Sequence, residues 1–191
     1  LAETDQLISY RKKDSVPDAF NTMGQADISE IKDLIEMTLD VSDRSEGAFD
    51  PTVLPVSVLW GFDRMQEADY DVSEMKVPDS EDIEEAVLKV DHSALKIEEN
   101  LLVSQKPDLK IELGAIGKGY AIDRAVDLVM DETTDGLLIS AGSSVCAIGH
   151  KADGSLFRVA LRDPREDKEN PQPLGILTIT DACIATSGDY E

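Results

Sequence analysis

The sequence predicts an α+β protein in which helices pack on a largely antiparallel sheet, and three observations carry that expectation. Ile28, Ile31, Ile35 and Leu39 recur at helical spacing. Leu95-Lys96-Ile97 and Leu101-Leu102-Val103 flank Glu98-Glu99-Asn100 as two arms of a hairpin. The second half then offers short apolar runs broken by turn residues, the pattern of a sheet-rich region covered by helices on one side. At 191 residues the chain suits one ordinary domain, or two small lobes, with a sizeable core.

Leu1 to Tyr10 reads as the end of a helix, followed by the polar turn Arg11 to Ser15. Asp27 is a plausible N-cap, with Glu30 completing a capping box for a helix that ends near Ser42. Gly47 to Phe62 holds too many Gly, Pro and aromatic residues for a regular element and is expected to be an ordered loop. Arg64 to Val77 is an acidic surface insertion. Pro78-Asp79-Ser80 then opens a short helix with Ile83, Val87 and Val90 facing inward. Ile111 to Leu113 is expected to be a strand that runs through Gly114, Gly117 and Gly119 into a helix with Ile122, Val126, Val129 and Met130 on one face. Further strands are expected at Leu137 to Gly142, Val145 to Ile148, Phe157 to Leu161 and Leu174 to Ile179, with turns at Asp153-Gly154 and Pro171 to Pro173. His92 carries no assignment. No internal repeat or low-complexity tract is visible.

Charge narrows the function classes. With 40 Asp and Glu against 18 Lys and Arg, the formal charge of −22 repels nucleic acid and anionic lipid, and no basic cluster offsets it. A solvated acidic surface and adaptation to high salt are equally consistent with this composition. Cys146 and Cys183 each sit among apolar strand-like residues, so two buried free thiols are expected rather than a disulfide. No apolar run approaches the roughly 18 residues of a spanning helix, and Leu1 opens an acidic stretch without a signal region.

The glycine-rich stretch around Lys118 is where chemistry is expected. Glycines at positive φ would bare backbone amides beside a cation, and a following helix would aim its N-terminus at an anion. The alternative is a tight connection with no ligand. The spacing is neither that of a P-loop, which needs four residues between its glycines, nor that of the G-x-G-x-x-G dinucleotide fingerprint.

Glu112 to Ala125 resembles the D-L-G-[GA]-I-[AG]-K-G-Y-A-x-D-R-A segment of the FAD:protein FMN transferases, once called thiamine biosynthesis lipoproteins. Gly47-Ala48-Phe49-Asp50-Pro51-Thr52-Val53 with Leu59-Trp60-Gly61-Phe62, and Ala185-Thr186-Ser187-Gly188-Asp189-Tyr190-Glu191, resemble two more of that family's motifs in the same order. The resemblance implies a T-fold-like, two-lobed flavin transferase domain across residues 1–191, incomplete at both ends, with a first lobe of about 1–110 and a glycine loop and sheet-rich part at 111–191.

It also implies a reaction: Mg²⁺-dependent transfer of FMN from FAD to a Thr or Ser hydroxyl of a target protein, releasing AMP. The implied FAD contacts are Tyr10, Ala48, Phe49, Asp50, Glu112 and Lys118, and the implied Mg²⁺ contact is the Ala115 carbonyl. By itself Tyr10 reads as helix-end packing, and Phe49 with Trp60 as a small aromatic cluster. Glu112 replaces a usual Asp, and Ser143-Ser144 a usual glycine pair. The family's metal-site Asp and Thr follow the last motif, so the 191 residues alone are expected not to transfer FMN. Members resembling this chain are often lipoproteins held at the outer face of a membrane. A flavin-binding relative without transfer activity and a structural domain are the alternatives.

Overall fold

The computed structural model describes residues 2–64, 71, 75–131, 134–165 and 172–187. They fall into two compact units, Ala2–Gly117 and the part from Lys118 onward, in which every strand pairing is antiparallel. The architecture is α+β, as expected.

The first unit holds α1 (Ala2–Ile8), α2 (Val16–Met23), β1 (Gln25–Asp27), α3 (Lys32–Arg44), α4 (Leu54–Leu59) and α5 (Ser80–Val87), then a 3-10 turn at His92–Ala94 before β2 (Leu95–Glu98) and β3 (Leu101–Ser104). The expected hairpin is present, with Glu99 at φ 56° in its turn, and β1 adds to its far edge in the order β1-β3-β2. Phe20, Ile28, Ile31, Leu34, Ile35, Leu102, Ile111 and Leu113 are fully buried and form the core.

Local chemistry explains several departures from the expected elements. Asp27 is the last residue of β1 rather than a helix cap. Its Oδ1 accepts the Ser29 N–H at 2.8 Å, and α3 starts only at Lys32, so Ile28 and Ile31 are buried ahead of the helix. The buried face of α3 is Leu34, Ile35, Thr38 and Ser42; the two hydroxyls donate to the Leu34 and Thr38 carbonyls, which makes their burial affordable. Gly47 to Phe62 contains a helix after all, α4, begun with Pro55 in its first turn. In α5 it is Ala86 that is buried, while Val87 is exposed. Most of the acidic insertion at 64–77 lies outside the described residues, as do Pro171 and the end of the A-T-S-G-D-Y-E motif.

The glycine-rich stretch is also corrected. Ile111 to Leu113 forms no strand, and α6 spans Gly114–Val129, so all three glycines lie inside a helix and none has positive φ. Gly117 packs against α1: a Cβ there would lie 2.6 Å from Ile8 Cδ1, so a side chain at 117 would force the end of Ile8 to shift. Of the expected inward face of α6, Ile122 is buried and Val129 is exposed.

The second unit holds the remainder of α6, β4 (Gly136–Ala141), β5 (Ser144–Gly149), β6 (Phe157–Arg162), β7 (Pro173–Ile179) and β8 (Ala182–Ala185). The four expected strands are present, and β8 is an addition. They form a β4-β5-β8 sheet and a β6-β7 ribbon. Cys146 of β5 faces Cys183 of β8 in register, and the two form a disulfide, contrary to the expected pair of buried free thiols. Residues directly opposite each other on an antiparallel pair project to the same face, so the β5–β8 register brings the two sulfurs together, although Cys146 is buried and Cys183 exposed.

Candidate functional site

Of the residues expected to bind a ligand, Tyr10, Ala48, Phe49, Asp50 and Glu112 fall on connections between elements, and Ala115 and Lys118 on α6. Tyr10 follows α1. Its ring carries the Arg11 guanidinium at 4.8 Å from the centroid, and Arg11 Nη2 donates to the Asp63 carbonyl at 2.9 Å, so the side chain after α1 is braced by the end of the Trp60 to Asp63 turn. Burial raises the Tyr10 phenol above its ordinary range; Arg11 opposes that shift, while Glu112 and Asp63 reinforce it. Tyr10 and Glu112 therefore share one electrostatic neighbourhood.

Glu112 is fixed at both ends. Its N–H donates to the Pro51 carbonyl at 2.8 Å, and its Oε1 accepts the Ser57 hydroxyl of α4 at 2.9 Å. The α4 helix thus gives the Glu112 carboxylate a definite position. Ala48 is exposed and Phe49 half-buried; the Phe49 N–H donates to Ser45 Oγ at 3.0 Å.

Asp50 faces the protein instead of solvent. Its Oδ1 accepts from Thr52 N and Thr52 Oγ1 at 2.8 and 2.6 Å, and its Oδ2 lies 3.1 Å from both His92 N and His92 Nδ1. His92, left unassigned from the sequence, is the partner that sequence reasoning missed. Its contact spans 42 positions and leaves no local signature.

Ala115 and Lys118 lie on the first two turns of α6, and both are exposed. A Cβ at Gly114 or at Gly119 would meet nothing within 4 Å, so neither glycine is required by close packing. In the second unit Lys118 Nζ donates to Ser143 Oγ at 3.2 Å, while the Ser143 carbonyl accepts the Thr186 N–H at 2.9 Å. Ser143, Arg162, Thr186 and Ser187 are the polar members of a cavity of about 370 Å³ in the same unit. The substituted Ser143 thus holds both the lysine and the start of the last motif.

Among the described residues no group of three or more His, Cys, Asp or Glu side chains is placed to hold a metal. No helix among the described residues is long and apolar enough to cross a membrane.

The chain shares its fold with solved flavin transferases. Its residues 1–191 match the ApbE family, and the chain belongs to that family. It is 31% identical to the FAD:protein FMN transferase of Escherichia coli K12, covering 100% of this chain and 54% of the relative. The Vibrio cholerae enzyme of that name is also 31% identical, over 97% of this chain and 54% of its own length. The chain thus spans about half the length of the curated relatives it matches. The crystal structure of the ApbE protein from Thermotoga maritima superposes with a TM-score of 0.83 at 29% identity, covering 99% of this chain and 60% of that one. The flavin transferase ApbE from Vibrio cholerae gives 0.81 at 29%, covering 100% and 60%.

Proposed function

We propose that the protein carrying this chain is an FAD:protein FMN transferase. A Thr or Ser hydroxyl of a target protein attacks the phosphorus of the FMN half of FAD, the bond to the AMP phosphate breaks with its electron pair leaving on AMP, and the hydroxyl proton is released to solvent. The observation that carries this reading is the match of 97 to 100% of the chain to proteins of that name.

Each residue then has a physical task. The Tyr10 ring, neutral and half-buried, offers a flat apolar face for the isoalloxazine. The Glu112 carboxylate, held by Ser57, accepts a hydrogen bond from the nucleotide. Lys118 pairs with a pyrophosphate oxygen, and the exposed first turn of α6 presents its amides to the same charge. Such fixation orders the pyrophosphate for in-line approach, and positioning of this kind supplies roughly 7 to 11 kcal/mol of barrier lowering in well-oriented reactions. A magnesium ion supplies charge neutralisation when bound, and in this chain the Ala115 carbonyl is the group proposed to touch it.

The setting follows from the same reading. The acceptor is a flavin-accepting target protein, and nucleic acid is disfavoured by the net charge of −22. An extracytoplasmic location, by way of a lipid anchor, suits the Cys146–Cys183 disulfide, since such bonds persist in oxidising compartments. Isothermal titration of the full-length protein with FAD tests the cofactor assignment. Saturable binding is expected, and no heat in a folded sample would overturn it.

A further inference from the structure

The Asp50 carboxylate is saturated. Four donors converge on its two oxygens: Thr52 N at 2.8 Å and Thr52 Oγ1 at 2.6 Å on Oδ1, and His92 N and His92 Nδ1, each at 3.1 Å, on Oδ2. A carboxylate offers about four lone-pair sites, so this one has none left for a ligand. The side chain is only 12% exposed and that of His92 17%, which keeps water from competing. A ring nitrogen that faces a carboxylate must carry the proton, so Nδ1 is the donor.

The same network reaches further on both sides. Thr52, fully buried, accepts the Asp91 N–H on its hydroxyl at 2.7 Å, so residues 50–52 are bolted to the 91–92 turn through three side chains. On the other flank Gly47 sits at φ +80°, and a Cβ built there would lie 3.4 Å from His92 Cε1, so the loop closes directly over the imidazole edge. Between Gly47 and Asp50 lie Ala48 and Phe49, whose N–H groups donate to Ser45 O and Ser45 Oγ at 3.0 Å each. The far contact of the ring, Nε2 to Asp43 Oδ1 at 3.3 Å, involves a side chain that is 77% exposed and contributes little.

We infer that His92 is a positioning residue for the flavin dinucleotide. By holding Asp50 it fixes the Ala48–Phe49 backbone, and that backbone, rather than the Asp50 carboxylate, meets the ligand. This rests on the proposed binding of FAD. His92 touches no substrate in this account and acts only through Asp50.

The test is FAD affinity of the full-length protein, by titration of flavin fluorescence, in the wild type and in three variants. His92→Leu removes the side-chain donor to Asp50 and is expected to weaken FAD binding about tenfold, equivalent to about 1.4 kcal/mol. His92→Asn places an amide N–H where Nδ1 was and is expected to recover most of the affinity. His92→Gln, which places its amide near Nε2 instead, is expected to behave like His92→Leu and stands in for it if that variant does not fold. Wild-type affinity in His92→Leu or in His92→Gln, or equal weakening in His92→Asn and His92→Leu, overturns the assignment of His92. A wild type that binds no FAD overturns the functional reading beneath it.

Discussion

The Ser57 hydroxyl of α4 donates to Glu112 Oε1 at 2.9 Å, so the residue that differs from the usual family Asp has a partner matched to its extra length. An Asp at 112 would end one methylene short of Ser57. Ser57→Ala should therefore lower stability by about 1 kcal/mol, and Glu112→Asp should lose the same bond. A double-mutant cycle in urea unfolding checks this. Coupling of the two changes is expected, whereas strictly additive effects would show that the bond contributes nothing.

Tyr10 should titrate late. Burial is the largest cause of its raised proton affinity, with Arg11 opposing and Glu112 and Asp63 adding to it. A folded-state pKa above the unfolded value near 10 means that the native state holds the proton longer. The corresponding stability is fully present below about pH 10 and is lost as pH rises through the folded value. Ultraviolet difference titration should show a late tyrosinate component that Tyr10→Phe diminishes. A titration with no late component, or one unchanged by Tyr10→Phe, would contradict the placement.

Reduction of Cys146–Cys183 should destabilise the second unit. The bond closes a loop over a sequence separation of 37, for which chain-entropy arguments give about 3 to 4 kcal/mol. Chemical denaturation with and without dithiothreitol reads the difference. An unchanged midpoint would mean that the strand pairing of β5 with β8 holds without the bond.

The sequence made some of this legible and hid the rest for physical reasons. Short apolar runs bounded by turn residues gave away β4 to β7, because that signal is local. The start of α2 was also readable in principle: Ser15 accepts the Asp18 N–H at 3.1 Å, Pro17 lies in the first turn and Gly24 closes the helix at φ 72°. The glycines of α6 misled, since Gly117 serves close packing on Ile8 rather than a left-handed turn. Long-range pairings had no local trace. The register that joins Cys146 to Cys183, and the reach of His92 to Asp50, exist only once strands and turns are assembled. Of the residues expected at the site, Tyr10 and Glu112 come into one neighbourhood, while Asp50 turns inward.

Lys118→Ala should weaken FAD binding about 10- to 150-fold, since a charge-assisted hydrogen bond is worth about 1.5 to 3 kcal/mol, with the melting temperature unchanged. The side chain is exposed and bonded to the Ser143 hydroxyl, so its loss leaves the core intact. Calorimetric binding and thermal melts on the same sample separate the two effects. A large fall in melting temperature would assign Lys118 a structural role, and an unchanged affinity would remove it from the site.

The most direct measurement is covalent transfer itself. The full-length protein is incubated with FAD, Mg²⁺ and a flavin-accepting protein, and the acceptor is then weighed by mass spectrometry while free AMP is quantified. A gain equal to one FMN phosphoester on a Thr or Ser, with stoichiometric AMP, is the predicted result. A folded, FAD-bound protein that leaves the acceptor unmodified and releases no AMP would contradict the assignment as a transferase.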